Sequence, residues 1–88
     1  MKKWVITKFT KEITDNHKDM YTHKKLEGDT IKFRLLDDDG IIYMYGEMLK
    51  SVWDDGEEED LFEPLDWSEG CYGCTEIQFK ENGKYETL

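Results

Sequence analysis

The stretch TIKFRLLDDDGIIYMYGEML, residues 30–49, decides the fold. In its first half apolar and charged residues alternate, so Ile31, Phe33 and Leu35 share one face of an extended strand. The Asp-Asp-Asp-Gly segment at residues 37–40 predicts a turn, because aspartate tolerates left-handed backbone geometry and glycine adopts it freely. The whole stretch therefore predicts a β-hairpin.

The rest of the chain adds further strands to this hairpin. The return strand over residues 41–49 is rich in aromatic side chains, and Gly46 marks a candidate bulge within it. Asn82-Gly83 is a strong signal for a two-residue hairpin turn. The other predicted strands cover residues 4–9, 75–80 and 84–88.

Two long connections separate these strands. Residues 10–29 show no clear periodicity, and residues 50–73 are strongly acidic, with room for a helical turn or two around residues 57–62. The chain of 88 residues predicts a single domain over residues 1–88. The predicted fold class is α+β, a mostly antiparallel β-sheet of about five strands with two long loops.

Four candidate nitrogen and sulfur metal ligands fall in the two long connections. His17 and His23 lie in the first, and Cys71 and Cys74 lie at the end of the second. Four such ligands complete a tetrahedral zinc site, and Cys-x-x-Cys flanked by glycine has the form of a zinc knuckle. Loops of this length are uncommon unless something ties them down. We therefore predict a structural Zn²⁺ bound by all four side chains, which staples the loops to the sheet.

Other interpretations of these residues are open at this point. Asp15, Asp19 or a water molecule can replace either histidine at the metal. Cys74 can instead be a small core residue at the start of a strand, with Cys71 incidental. A dithiol oxidoreductase also uses Cys-x-x-Cys, but its reactive thiol lies at a helix N-terminus. Here the pair precedes a predicted strand among acids, so the metal interpretation is preferred.

Charge is unevenly divided along the chain. The net charge is −9, yet residues 1–34 hold nine Lys or Arg against five acids, whereas residues 35–88 hold three against sixteen. Between Ser51 and Gln78 there is no basic residue. Such a run repels nucleic acid and anionic lipid, and it suits a basic surface on another protein. The general alternative is a solvated segment that maintains solubility.

Apolar residues are interleaved with this acidic run. These apolar residues either pack onto the domain or insert into a partner as anchors. In both cases they indicate that the acidic run does more than keep the protein soluble. The predicted partner-binding residues are Trp53, Asp54, Asp55, Glu57, Glu58, Glu59, Asp60, Phe62 and Trp67.

The sequence argues against several other functions. It has no Gly-rich phosphate loop, no His-Glu-x-x-His and no Gly-x-Ser-x-Gly, and residues 37–39 lack the spacing of a calcium-binding loop. We therefore predict that the chain is not an enzyme. The excess of acid predicts no direct nucleic-acid binding, and the absence of a long apolar stretch predicts no membrane association. We expect a cytoplasmic protein.

Three segments of the chain carry a resemblance to known sequences, and they are residues 36–40 with Tyr43 and Gly46, residues 62–67, and residues 73–79 leading to residues 83–88. Together they resemble a group of small uncharacterised proteins from bacteriophages and other mobile elements. They cover about the last three fifths of the chain, and the resemblance implies no particular chemistry. Cys71 and both histidines lie outside the shared pattern, so the predicted metal site would be particular to this chain.

A short, acidic and phage-like chain also resembles anti-CRISPR proteins. Members of that class are mostly unrelated in fold, and some occupy the nucleic-acid site of a CRISPR nuclease with carboxylates in place of phosphates. The resemblance implies a non-catalytic inhibitor of a type II CRISPR effector nuclease, whose basic nucleic-acid-receiving surface is bound by the acidic face. The alternatives are a phage accessory protein that binds another host protein and the dithiol oxidoreductase.

Overall fold

The computed structural model describes residues 3–10, 26 and 28–88, with Cys71 described through its backbone alone. Five strands form one antiparallel sheet in the order β1-β3-β2-β4-β5. The predicted α+β class with a five-stranded antiparallel sheet is confirmed. The elements are β1 (Trp4–Phe9), β2 (Thr30–Leu36), β3 (Ile42–Leu49), α1 (Lys50–Asp55), α2 (Glu58–Tyr72), β4 (Glu76–Glu81) and β5 (Lys84–Thr87).

Both predicted hairpins are confirmed, and local turn chemistry explains each. In the β2–β3 turn, the Asp37 carboxylate accepts hydrogen bonds from the amides of Asp39 and Ile41 at 2.9 and 3.0 Å. In the β4–β5 turn, Asn82 and Gly83 adopt φ angles of 52° and 81°. Two consecutive positive φ angles are the geometry of a two-residue hairpin turn whose twist matches its strands.

The hydrophobic core lies on one face of the sheet. Phe33 on β2 is fully buried at its centre, and its ring lies 5.7 Å from that of Phe79 and 6.3 Å from that of Trp4. The two helices cover this face. The buried cluster consists of Trp4, Ile6, Phe33, Leu35, Met44, Met48, Val52, Cys74, Ile77 and Phe79.

The predicted bulge at Gly46 is wrong, because Gly46 pairs regularly with Ile6 and with Phe33. Register shifts instead fall between Ile6 and Lys8 and between residues 35 and 36. Glycine is needed at position 46 for space: a Cβ there would lie 2.4 Å from Phe33 Cζ and 2.5 Å from the Val5 carbonyl oxygen. The missing side chain lets the Phe33 ring lie over the β3 backbone.

The prediction of a long irregular second connection is also wrong. The chain forms α1 and then the 15-residue α2, which contains Pro64. Proline in a helix interior removes one backbone hydrogen bond, but Pro64 is buried against the core, where its ring stabilises the packing. The helix ends at Gly73, whose φ is 76° and whose amide donates to the Ser68 carbonyl oxygen at 3.0 Å. In the described ranges, neither helix has the length and apolarity to cross a membrane.

Candidate functional site

The acids of the second connection lie together on the outside of the two helices. In the first turn of α2 are Glu58, Glu59 and Asp60, where the partial positive charge of the helix N-terminus favours carboxylates. Toward the core, α2 instead places Leu61, Pro64 and Ser68. We call the outer surface the acidic face, which consists of the exposed side chains of Asp54, Asp55, Glu57, Glu58, Glu59, Glu63, Asp66 and Glu69.

A shallow recess lies within the acidic face. Its volume is about 540 Å³, and it is lined by Glu57, Glu58, Glu59, Phe62 and Asp66. Residues 58, 62 and 66 are four apart, so they lie one above another on one side of the helix. Phe62 is half-buried, and it therefore offers an apolar surface surrounded by carboxylates.

Two ion pairs touch the acidic helices in the described part of the chain. Lys50 Nζ lies 3.7 Å from Asp54, and Lys3 Nζ donates to Asp60 Oδ1 at 3.0 Å. The Lys3–Asp60 hydrogen bond is the main cause that raises the pKa of Lys3 and lowers the pKa of Asp60. Both pairs are exposed, and such pairs contribute little to stability. Most carboxylates of the acidic face therefore form no ion pair with another described residue.

The three predicted apolar anchors are placed differently. Trp53 stacks 4.7 Å from the ring of Phe79, and Trp67 lies 5.7 Å from the ring of Trp4. Both are half-buried and join the helices to the core. The indole N–H of Trp4 also donates to Glu63 Oε1 at 2.9 Å, which fixes α2 on β1. Of the three, Phe62 is the one that lines the acidic recess.

The predicted metal ligands are covered only in part. His17 and His23 lie outside the described residues, as does the side chain of Cys71. Cys74 is fully buried in the hydrophobic core, as its interpretation as a small core residue expects. Across residues 3–10, 26 and 28–88, no group of three or more His, Cys, Asp or Glu side chains is arranged to hold a metal ion.

The position of the cysteines does not favour dithiol redox chemistry. Residue 71 lies in the last turn of α2, and Cys74 follows the end of that helix. A helix lowers the pKa of a thiol at its N-terminus, where its partial charge is positive, and not at its C-terminus.

The opposite face of the sheet carries a polar network that sequence patterns did not reveal. Arg34 Nε donates to Gln78 Oε1 at 2.7 Å, and Gln78 Nε2 donates to Glu76 Oε2 at 2.6 Å. The Thr87 hydroxyl also donates to Glu76. The hydrogen bonds from Thr87 and then from Gln78 lower the pKa of Glu76. Three strands thus share one set of charged hydrogen bonds.

Tyrosine rings and cations lie beside this network. The guanidinium carbon of Arg34 is 4.1 Å from the centre of the Tyr85 ring. The centres of the Tyr45 and Tyr85 rings are 6.3 Å apart. Burial raises the pKa of Tyr85. We call the recess of about 360 Å³ on this face the sheet groove, which is lined by Thr7, Lys8, Lys32, Tyr45, Gly46, Glu47, Lys80 and Tyr85. It is formed by strands that lie far apart in the sequence.

No family model matches the chain, and no curated protein or solved structure is similar to it. The functional argument therefore rests on the geometry of these two faces.

Proposed function

We propose that the chain is a non-catalytic inhibitor of a host defence nuclease, a type II CRISPR effector. The acidic face binds the basic surface of that nuclease which otherwise receives nucleic acid. The partner is thus a protein rich in Lys and Arg at the contact, and the inhibitor acts by occupying that surface in the host cytoplasm.

The charge density of α2 carries this proposal. Its 15 residues extend over about 22 Å. One DNA strand carries about six or seven phosphates over that length, at roughly one per 3.4 Å. The acidic face takes a comparable number of carboxylates from α2, and these five are Glu58, Glu59, Glu63, Asp66 and Glu69. A sixth carboxylate of α2, that of Asp60, is paired with Lys3.

The rigidity of the helix supports the same proposal. Trp67 packs on Trp4, and Trp4 donates to Glu63, so the acidic face is held on the sheet before any partner arrives. A surface that is already ordered loses less conformational entropy on binding. Phe62 adds an apolar contact within the acidic recess, which suits a partner whose cations surround an apolar or aromatic patch.

A nuclease assay tests the proposal. We expect the wild-type protein to block DNA cleavage by a type II effector loaded with its guide RNA. The triple variant Glu57→Lys, Glu58→Lys, Glu59→Lys should inhibit at least about tenfold less well, because it removes the charges that pair with the basic surface. The matched control reverses the charges of three other residues by substitution with lysine. They are Asp38, Asp39 and Glu86, which are exposed and lie outside the helices.

The two triple variants have the same net charge, so general electrostatic attraction cannot separate them. Inhibition that survives reversal at residues 57–59 would exclude the acidic face as the interface. Cleavage that is unaffected by the wild-type protein would leave binding to another host protein, which a pull-down from host lysate would identify.

Structural zinc is a separate proposal, based on the Cys71–Cys74 spacing and the two histidines. Of those four side chains Cys74 is the one described, and no step of the proposed inhibition depends on the ion. Elemental analysis should find about one zinc per chain, and a chelator should lower the melting temperature. Protein that contains no zinc and melts unchanged in chelator would end this proposal.

A further inference from the structure

Three lysines lie on the face of the sheet opposite the helices, which we call the open face because no described helix covers it. Lys8 lies on β1, Lys32 on β2 and Lys80 on β4, and all three side chains are exposed. Together they line the sheet groove. The ion pairs of the described residues involve Lys3 and Lys50, so these three cations have no carboxylate within bonding distance there.

Aromatic rings lie beside these cations. Tyr45 on β3 and Tyr85 on β5 are half-buried and line the same groove. Behind Tyr85 lies Arg34, whose guanidinium also donates to Gln78 and is therefore fixed in place. The Tyr85 ring thus contacts Arg34 and has Lys80 Nζ 5.7 Å from its centre, and both tyrosine side chains stay half-exposed on the sheet.

The groove continues past the end of the sheet. Lys32 and Lys80 also line a second recess of about 420 Å³, to which Lys50 and Trp53 contribute. The two recesses share these two lysines. Lysines and aromatic side chains line both recesses, together with one carboxylate in each, Glu47 and Glu81.

We propose that the sheet groove binds a short single strand of nucleic acid. Lys8, Lys32 and Lys80 would contact the phosphates, and unpaired bases would stack on Tyr45 and Tyr85. Proteins that bind single strands combine a basic groove with such stacking surfaces. This inference is independent of the proposed function, and it replaces the expectation from composition that the chain makes no direct contact with nucleic acid.

The rings favour a single strand over other anionic ligands. An acidic peptide, or the acidic face of a second copy, would use the lysines but not the tyrosine rings. A duplex keeps its bases stacked inside, whereas bases of a single strand are free to lie on aromatic side chains. Glu47 also lines the groove, and it accepts a hydrogen bond from Thr30.

The net charge of −9 does not prevent this binding. The acidic face lies on the helix side, and the groove lies on the other side of the sheet. The shortest principal extent of the molecule is 23 Å. At physiological ionic strength electrostatic interactions in solvent decay over about 8 Å, so the groove is largely screened from the acidic face.

Fluorescence anisotropy with a labelled oligothymidine of about eight nucleotides tests the inference at roughly 50 mM and 200 mM salt. The wild-type protein should bind, and its affinity should fall with salt. Lys80→Ala should weaken binding about threefold or more and reduce the slope of log K against log salt by about 0.7. Lys84→Ala is the matched control, because Lys84 precedes Tyr85 on β5 and so points to the other face.

A second variant tests the stacking separately from charge. Tyr85→Leu keeps an apolar side chain but removes the aromatic ring, and it should weaken binding about fivefold or more at both salt concentrations. The Lys32→Ala, Lys80→Ala double variant should remove most binding at the higher salt. Circular dichroism of each variant should match the wild type, because these side chains lie outside the core cluster.

Several results would overturn the inference. They are absence of binding at the lower salt, equal losses for Lys80→Ala and Lys84→Ala, and equal affinity for a duplex of the same length. Tighter binding of a polyglutamate peptide would assign the groove to an acidic protein segment instead. Self-association that disappears in the Lys32→Ala, Lys80→Ala variant would assign it to a second copy of the chain.

Discussion

The helix side and the open side of the sheet differ in charge, although one layer of strands separates them. The helix side carries the eight exposed carboxylates of the acidic face. The open side carries four cations, Lys8, Lys32, Lys80 and Arg34, against two carboxylates, Glu47 and Glu76. Net charge alone would describe this molecule as acidic throughout, whereas its charge is divided by face.

The division of charge between the two faces differs from the division of charge along the sequence. In the sequence, most bases lie before residue 35 and most acids after it. Strand pairing then brings Lys80 from the acid-rich part next to Lys32 from the basic part, because β2 and β4 are neighbours. The surface charge therefore depends on sheet topology as well as on composition.

The largest effect should come from the core that both faces share. Phe33→Ala should lower the free energy of unfolding by about 3–5 kcal/mol, because Phe33 is fully buried between Phe79 and Trp4. Phe62→Ala, on the half-buried acidic side, is the comparison and should cost much less. Urea unfolding measures both, and equal costs would contradict the described core.

Two glycine substitutions should separate the sheet from the helix. Gly46→Ala should destabilise by about 1–3 kcal/mol, since its Cβ would collide with Phe33 and with the Val5 carbonyl group. Gly70→Ala on α2 meets open space and should be neutral, or stabilising by up to about 1 kcal/mol. In thermal unfolding, the melting temperature of Gly46→Ala should fall below that of the wild type, and that of Gly70→Ala should equal or exceed it. The same loss at both positions would contradict this packing.

Acid should affect the open face through Glu76. Hydrogen bonds from Thr87 and Gln78 lower its pKa from the usual 4.5. Ionised Glu76 therefore stabilises the folded state above that usual value, and this contribution is lost as the pH falls through the lower, folded-state pKa. The urea midpoint of Thr87→Val should fall less than that of the wild type when the pH is lowered from about 7 to about 3, because the variant lacks the hydroxyl that stabilises ionised Glu76. Thr75→Val, at an exposed position outside this network, should behave like the wild type.

The smallest effect should come from the surface ion pair on the helix side. Lys3 is exposed and Asp60 is partly exposed, so water and salt screen their attraction. Lys3→Ala should leave the thermal midpoint unchanged within error at physiological salt. A clear loss of stability would contradict the small contribution assigned to this surface pair.

Much of the sheet could be predicted because its signals are local. Alternation over residues 30–35, the aspartates and glycine of the first turn, and Asn82-Gly83 each act over a few residues. The strand pairs of both hairpins follow from those turns. The fold class was therefore available from sequence patterns.

Sequence patterns indicated only a helical turn or two around residues 57–62, although the chain contains a helical pattern as far as residue 72. Leu61, Leu65, Ser68 and Tyr72 recur at spacings of three and four, and Gly73 supplies a stop signal. Pro64 and the density of acids obscured that pattern, because proline usually ends a helix. The tertiary packing of Pro64 against the sheet outweighs its local preference.

The sheet groove could not be predicted from sequence patterns. Its side chains come from all five strands, and its formation depends on pairings between β1 and β3 and between β2 and β4. Such pairings join residues that are far apart in the chain, and no turn signal specifies them. By contrast, the acidic face lies within one continuous segment, and five of its eight members are among the residues predicted from sequence. Glu63, Asp66 and Glu69 are not, because they join that face only through the helical spacing of α2.

Competition for DNA tests the central claim most directly. A labelled target duplex bound to a guide-loaded type II effector should be displaced by the wild-type protein and by the variant reversed at Asp38, Asp39 and Glu86. The variant reversed at Glu57, Glu58 and Glu59 should displace it at least about tenfold less well. Duplex that stays bound at saturating wild-type protein, or equal displacement by both variants, would contradict the assignment of the acidic face to a nucleic-acid-receiving surface.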